Sequence, residues 1–371
     1  MRIRRIERTL LVAAIVVAAA IGIAFGQSPS AGATGAAPSY RQIQIPGIPS
    51  QGYNTVFPAD INNNGVVVGA LSRLAGFVPV RAFLWTGSGE PRDIGDLGVY
   101  EFSQAVGIND AGQVIGVAEV PDPSDPLGHA IHGFFWQNGV ITDLPPLGGD
   151  TWSQATAINE RGEVLVVSFN DRDSRHDRYY IWNRGRTDPI GRLNAYPGGP
   201  AGYAWSMNDS RQIVGSAIHE EGQERAFLWE KGRVTDLGLA PGDDFYSVAC
   251  RITNGGMIVG ESYAFDDQNG HGARSQGVVW QGRTLVRTIA PLPGSFVLAP
   301  LAANENGTIV GFSGYPSSAV VSFGGVALDL NGLVPGQNPF EFLYQGRDVN
   351  DKGQIVVDGQ FGCCGYLLDP K

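Results

Sequence analysis

The sequence predicts an all-β protein, a single seven-bladed β-propeller of four-stranded antiparallel blades, on three observations. One polar turn motif recurs seven times at steps of 47, 50, 49, 45, 51 and 46 residues. In five of those units a β-branched and aromatic run ending on tryptophan follows the turn. The last unit stops one strand short, and a strand of the missing type precedes the first unit.

The turn motif reads Asp60-Ile61-Asn62-Asn63-Asn64-Gly65-Val66-Val67-Val68-Gly69 and returns as Gly107-Ile108-Asn109-Asp110-Ala111-Gly112-Gln113-Val114-Ile115-Gly116. Its key position falls next at Asn159, Asn208, Thr253, Asn304 and Asn350. Asn and Asp side chains bond local backbone, and a glycine such as Gly112 takes the positive φ that closes a hairpin. The segments on either side of each turn are therefore the first two strands of a blade. The third strand carries the tryptophan, as in Ala82-Phe83-Leu84-Trp85, Gly133-Phe134-Phe135-Trp136, Tyr179-Tyr180-Ile181-Trp182, Ala226-Phe227-Leu228-Trp229 and Gly277-Val278-Val279-Trp280. Units six and seven keep the degenerate forms Ala319-Val320-Val321-Ser322 and Gly365-Tyr366-Leu367-Leu368. Short segments such as Thr142-Asp143-Leu144 and Thr235-Asp236-Leu237 make the fourth strand. Four antiparallel strands per repeat of this length are the pattern of propeller blades.

Closure follows from the chain ends. The seventh unit lacks its Asp-Leu strand, and Arg41-Gln42-Ile43-Gln44-Ile45 has that strand's alternation. The N-terminal strand is expected to complete the last blade, with the Asp-Leu strand outermost and the strand ending at the Asn innermost.

Residues 1–26 differ from the rest. Arg2, Arg4, Arg5 and Arg8 precede an uncharged run from Leu10 to Phe25. This is a secretory signal or, uncleaved, an N-terminal anchor. Residues 27–39 form a flexible Ser-, Ala- and Gly-rich spacer, and residues 40–371 the propeller. The expected location is secreted, periplasmic or cell-surface, with anchoring through the apolar segment as the alternative. Without residues 1–26 the chain holds 22 basic and 35 acidic residues, a formal charge of −13. Such a surface repels nucleic acid and anionic lipid. Of three cysteines, Cys363 and Cys364 are adjacent and Cys250 lies in another unit, which fits buried thiols or a vicinal bridge better than a redox role.

The repeats resemble those of the HAF-repeat family of bacterial extracellular proteins, named for a His-Ala-Phe triplet before the tryptophan. Here the triplet stands as Arg81-Ala82-Phe83, His132-Gly133-Phe134 and Arg225-Ala226-Phe227, with the histidine mostly replaced. The resemblance spans residues 40 to 370 and implies an extracellular repeat protein without implying an activity.

No constellation of residues identifies a reaction. A nucleophile with its base and a phosphate-binding loop are both missing from the sequence, so no catalytic residue, cofactor or metal site is assigned. The innermost strands carry small residues such as Ala105, Val106, Ala155 and Ala204. Asp60 and Asp348 are exceptions that become neighbours on closure, so an acidic pair can form there. The five histidines, His129, His132, His176, His219 and His271, fall in or beside the loops between second and third strands. The His129-x-x-His132 pair has metal-ligand spacing but sits in a Pro- and Gly-flanked loop, where solvated side chains are the simpler reading.

Those loops share one face with the blade-to-blade crossovers, which bring Tyr53, Tyr100, Trp152, Tyr203, Tyr246, Phe296 and Phe342. Varied loops on a rigid frame suit recognition, whereas the opposite face carries short, near-identical turns. Trp152 is the first candidate ligand contact because it lies outside the repeated tryptophan strand, with Arg178, His132 and Tyr246 as companions. The expected function is an extracellular binding module whose partner is a polysaccharide or surface protein. A structural or adhesive surface protein comes second, and a propeller hydrolase third.

Overall fold

The structure is a computed structural model in which residues 38–74, 76–98, 102–122, 128–170, 177–197, 199–266, 272–314, 316–338, 341–359 and 364–371 are described. Residues 1–26, expected to be a signal or anchor, and all but the end of the expected spacer lie outside the described residues. Among the described residues no helix is long and apolar enough to cross a membrane.

Seven four-stranded antiparallel sheets surround a central channel. From the innermost strand outward, blade 1 runs Thr55–Ile61, Val67–Leu74, Gly76–Trp85 and Arg92–Asp93. Blade 2 is Ser103–Ile108, Val114–Pro121, His129–Gln137 and Val140–Leu144. Blade 3 is Trp152–Ile158, Val164–Phe169, Arg178–Asn183 and Arg186–Gly191, and blade 4 is Tyr203–Met207, Ile213–Ile218, Glu224–Glu230 and Arg233–Asp236. Blade 5 is Tyr246–Ile252, Met257–Asp266, Gly272–Gln281 and Thr284–Ile289, and blade 6 is Leu298–Ala303, Ile309–Ser313, Ser318–Phe323 and Val326–Asp329. Blade 7 takes Leu343–Val349, Ile355–Gly359 and Gly365–Pro370 from the C-terminus and Tyr40–Ile45 from the N-terminus. The closing pair is in full register from Tyr40 opposite Pro370 to Ile45 opposite Gly365, as the sequence predicts.

Each innermost strand slips register by one residue, three positions before the key Asn or Thr: at Ala59, Val106, Thr156, Trp205, Cys250, Leu301 and Arg347. Such a bulge raises local twist and lets the strand curl around the axis. It also presses the innermost backbone onto the second strand. A Cβ on Gly69, Gly116, Gly215, Gly260 or Gly311 would lie within 2.1 Å of a carbonyl oxygen there, which is why the motif ends on glycine in those five blades. Blades 3 and 7 carry Val166 and Val357 instead.

The core is a series of seams between blades rather than one centre. Val214 and Leu228 of blade 4, for example, pack on Ala249, Ile258, Val278 and Trp280 of blade 5. Trp85, Trp136, Trp229 and Trp280 are buried in these seams, where large aromatics at equivalent strand positions fill the space between neighbouring blades. At the closing seam Ile45, Val356 and Leu367 of blade 7 meet Val56, Val67, Phe83 and Trp85 of blade 1.

Candidate functional site

The hairpin turns at the channel mouth are joined in two rings. In the first, the buried Asn of each turn donates Nδ2 to the carbonyl of the equivalent residue one blade on: Asn62 to Asn109 (3.0 Å), Asn109 to Asn159 (3.0 Å), Asn159 to Asn208 (3.3 Å) and Asn208 to Thr253 (3.1 Å). The ring continues from Asn304 to Asn350 (2.8 Å) and from Asn350 to Asn62 (3.0 Å). Thr253 has no amide to donate. In the second ring, the next residue in each turn accepts the preceding blade's backbone N–H, at 2.5–2.9 Å: Asn63 from Asp351, Asp110 from Asn63, Glu160 from Asp110, Asp209 from Glu160, Asn254 from Asp209, Glu305 from Asn254 and Asp351 from Glu305. Sequence reasoning assigns these side chains only to local turn geometry. The recurring acid or amide after each key residue was the overlooked signal.

These turns line a half-open cavity of about 170 Å³, the hairpin end of the channel. Beneath it the two acids anticipated at the ring closure meet. Asp348 Oδ2 accepts Ile61 N–H at 3.2 Å, and Asp60 Oδ2 accepts Ile108 N–H at 2.8 Å, so the carboxylates stitch blade 7 to blade 1 and blade 1 to blade 2. Arg251 of blade 5 lies 3.1 Å from Asp348 and 3.6 Å from Asp60. Burial, aided by neighbouring Asp60, holds the Asp348 carboxyl well above the usual range against the pull of Arg251. Backbone amides and one guanidinium bind this pair, which joins blades 7, 1 and 2.

On the opposite, loop-bearing face, the four residues singled out from sequence are not one constellation. Trp152 is buried, 9% exposed, among Val117, Ile131, Phe102 and Phe169, with its ring centroid 6.2 Å from that of Phe169. It packs the seam between blades 2 and 3 instead of facing solvent. Arg178 grips Asp150 Oδ2 (2.7 Å) and the Gly148 carbonyl (3.0 Å), pinning the crossover that enters blade 3. His132 Nδ1 sits 2.9 Å from Asp143 Oδ1 and ties third strand to fourth in blade 2. Arg81 makes the corresponding pair with Asp93 at 3.1 Å. His176 and His271 lie outside the described residues, and among the described residues no three His, Cys, Asp or Glu side chains gather as metal ligands.

Tyr246 stands in a different environment. Its ring stacks on Tyr263 at 4.1 Å, Phe245 packs edge-on against it at 5.5 Å, and Phe265 lies 5.6 Å from Phe245. Strand register sets Tyr246 opposite Tyr263 and Val248 opposite Glu261. Alternation then turns Tyr246, Glu261 and Tyr263 toward blade 6, the side on which Val259 packs against Leu298 and Ile309. Burial raises the Glu261 carboxyl to about 8, partly offset by a hydrogen bond from the Tyr246 hydroxyl, and its Oε2 is buried without a hydrogen-bond partner. Burial and the nearby Glu261 push the Cys250 thiol up as well, so it is not a ready nucleophile. Around this polar base Phe245 is 45% exposed and Phe265 56%, and Phe296, whose carbonyl accepts the Ser275 N–H opposite Tyr263, is 59% exposed. These large aromatics left in water, on blade 5 and the crossover into blade 6, form an exposed apolar surface on the loop-bearing face.

No protein-family model and no curated protein matches the sequence. Among solved structures the chain is similar to the β-propeller domain of the Trilobed protease from Pyrococcus furiosus, with TM-score 0.53 and 10% identity, covering 86% of this chain and 95% of that one. Puromycin hydrolase gives TM-score 0.49 and 12% identity, covering 86% of this chain and 50% of that one, so the chain spans about half its length. At such identities the first likeness speaks to architecture alone: this chain is a β-propeller.

Proposed function

We propose that this protein is an exported binding propeller that recognises carbohydrate through the loop-bearing face of blades 5 and 6. The observation that carries the reading is the exposed aromatic surface of Phe245, Phe265 and Phe296 beside Tyr246 and Glu261. Flat aromatic faces suit the C–H faces of sugar rings, and adjoining polar groups suit their hydroxyls. The basic and apolar N-terminus and the likeness of the repeats to HAF-repeat proteins favour a location outside the cytoplasm. The second-ranked structural or adhesive role would need no saturable ligand.

Glycan-array screening followed by titration tests the reading. One glycan class should bind saturably, and the Phe245→Ser/Phe265→Ser variant should lose about tenfold or more in affinity at an unchanged melting temperature. Absence of selective binding, or equal affinity in the variant, rejects it. Cell fractionation should recover the protein outside the cytoplasm; recovery of the full-length chain in the soluble cytoplasm rejects export.

A further inference from the structure

An open cleft of about 420 Å³ lies at the outer part of the hairpin face, between blades 3 and 4. Its lining is Ile181, Asn183, Arg184, Arg186, Asp188 and Arg211. Three guanidinium groups against the lining carboxylate Asp188 and the carboxylate of Glu163 behind Arg211 leave this small surface net positive, in a chain whose overall charge is −10.

The three arginines differ in how they are held. Arg211 donates to Glu163 Oε1 at 2.7 and 3.0 Å and to Asp188 Oδ2 at 3.1 Å, so it is fixed across the blade boundary. Arg184 and Arg186 are exposed, and among the described residues their guanidinium groups have no ion pair or hydrogen bond. Asn183 Oδ1 is buried in the same lining without a hydrogen-bond partner.

Arg211 also breaks the repeat. Six blades place glycine at the left-handed position of the first hairpin, Gly65, Gly112, Gly162, Gly256, Gly307 and Gly353, with φ between 72° and 82°. Blade 4 alone places a side chain there, Arg211 at φ 55°. An L-residue in this region costs about 1 kcal/mol relative to glycine. The guanidinium delivered to the cleft is the feature that glycine cannot supply.

We propose that this cleft binds an oxyanion, with Arg184 and Arg186 as the free forks, Arg211 as the fixed wall, and Asn183 accepting a ligand hydroxyl. Guanidinium forks match phosphate, sulfate and carboxylate oxygens bidentately. The shared chemistry is an oxyanion near a hydroxyl, found in hydrogen phosphate and in acidic sugars. The site is independent of the aromatic face, since it lies on the opposite side of the ring.

The test is calorimetric titration of the full chain with inorganic phosphate, sulfate and glucuronate at constant ionic strength set by chloride. Saturable binding of one equivalent of at least one of these anions is expected. Tighter binding of phosphate assigns the site to a free inorganic anion and tighter glucuronate binding assigns it to acidic saccharide, while sulfate, which carries no hydroxyl at neutral pH, should bind more weakly than the tighter of the two. Arg184→Ala/Arg186→Ala, in an exposed turn, should keep the melting temperature and weaken binding by about tenfold or more. Arg211→Gly, which restores the residue found in the other six blades, should fold and also bind more weakly. Failure of all three anions to saturate, or a smaller loss in the double variant, overturns the proposal.

Discussion

Arg251, on the innermost strand of blade 5, reaches Asp348 of blade 7 across the channel mouth, with Nη2 3.1 Å from Oδ1. Asp348 is 2% exposed and Asp60 beside it 7%, so Arg251 is the cation that lets two carboxyl groups sit together at the ring closure. Removing one partner of a buried pair costs more than the pair contributes, because it strands the other charge. Arg251→Met should therefore cost about 2–4 kcal/mol in urea unfolding, reduced from the fully buried case because channel water reaches Arg251. Adding Asp348→Asn should recover most of the loss. Equal stability of Arg251→Met and the parent chain would refute this role.

The closing strand gives a second expectation. Deleting residues 40–46 leaves Gly365–Pro370 as an unpaired edge and removes the buried Tyr40 and Ile45. The melting temperature should fall by about 10 °C or more and the transition should broaden. A deletion variant that melts like the parent would mean that closure does not depend on this strand.

The Asn ring predicts a graded series at one position. Asn109 is 1% exposed; its Oδ1 accepts Gln113 N–H at 3.0 Å and its Nδ2 donates to blade 3. Asn109→Ala should cost about 2–3 kcal/mol, since local and interblade bonds are both lost. Asn109→Thr should fall between, because Thr253 keeps the local bond in blade 5, Oγ1 accepting Met257 N–H at 3.2 Å. Chemical denaturation of both variants checks the order: an Asn109→Thr midpoint equal to the parent's would show that the interblade bond carries no stability, and one equal to that of Asn109→Ala that the local bond carries none.

Glu261 makes stability depend on pH. Its carboxyl is raised from the ordinary 4.5 to about 8 in the fold, so the folded state favours the neutral form. The stabilisation is fully present below the ordinary carboxylate pKa and is lost as pH rises through about 8, on the order of a few kcal/mol. Melting curves between about pH 5 and 9 should fall more steeply for the parent than for Glu261→Gln, which stays neutral throughout. Parallel curves would contradict a buried neutral carboxyl.

Blade number, strand order and closure were legible in the sequence because each is written in local chemistry. The Asn-x-x-Gly turn specifies a hairpin, alternation specifies which residues enter a seam, and Arg41–Ile45 matches the strand missing at the other end. Apart from the Asp60–Asp348 pair, contacts between blades were not legible, because they join residues 45 to 51 positions apart, or 288 across the closure, through the angle between sheets. Trp152 and Tyr246 make the point. Each stands seven residues before the key turn position of its blade, at Asn159 and Thr253. Yet Val117, Ile131, Phe102 and Phe169 cover the first, while the second stacks on Tyr263 beneath exposed Phe245. The sequence by itself determined that an aromatic would stand at both positions on the same face. Only the tertiary structure decided which one is covered, because burial depends on what the neighbouring blade brings within van der Waals reach.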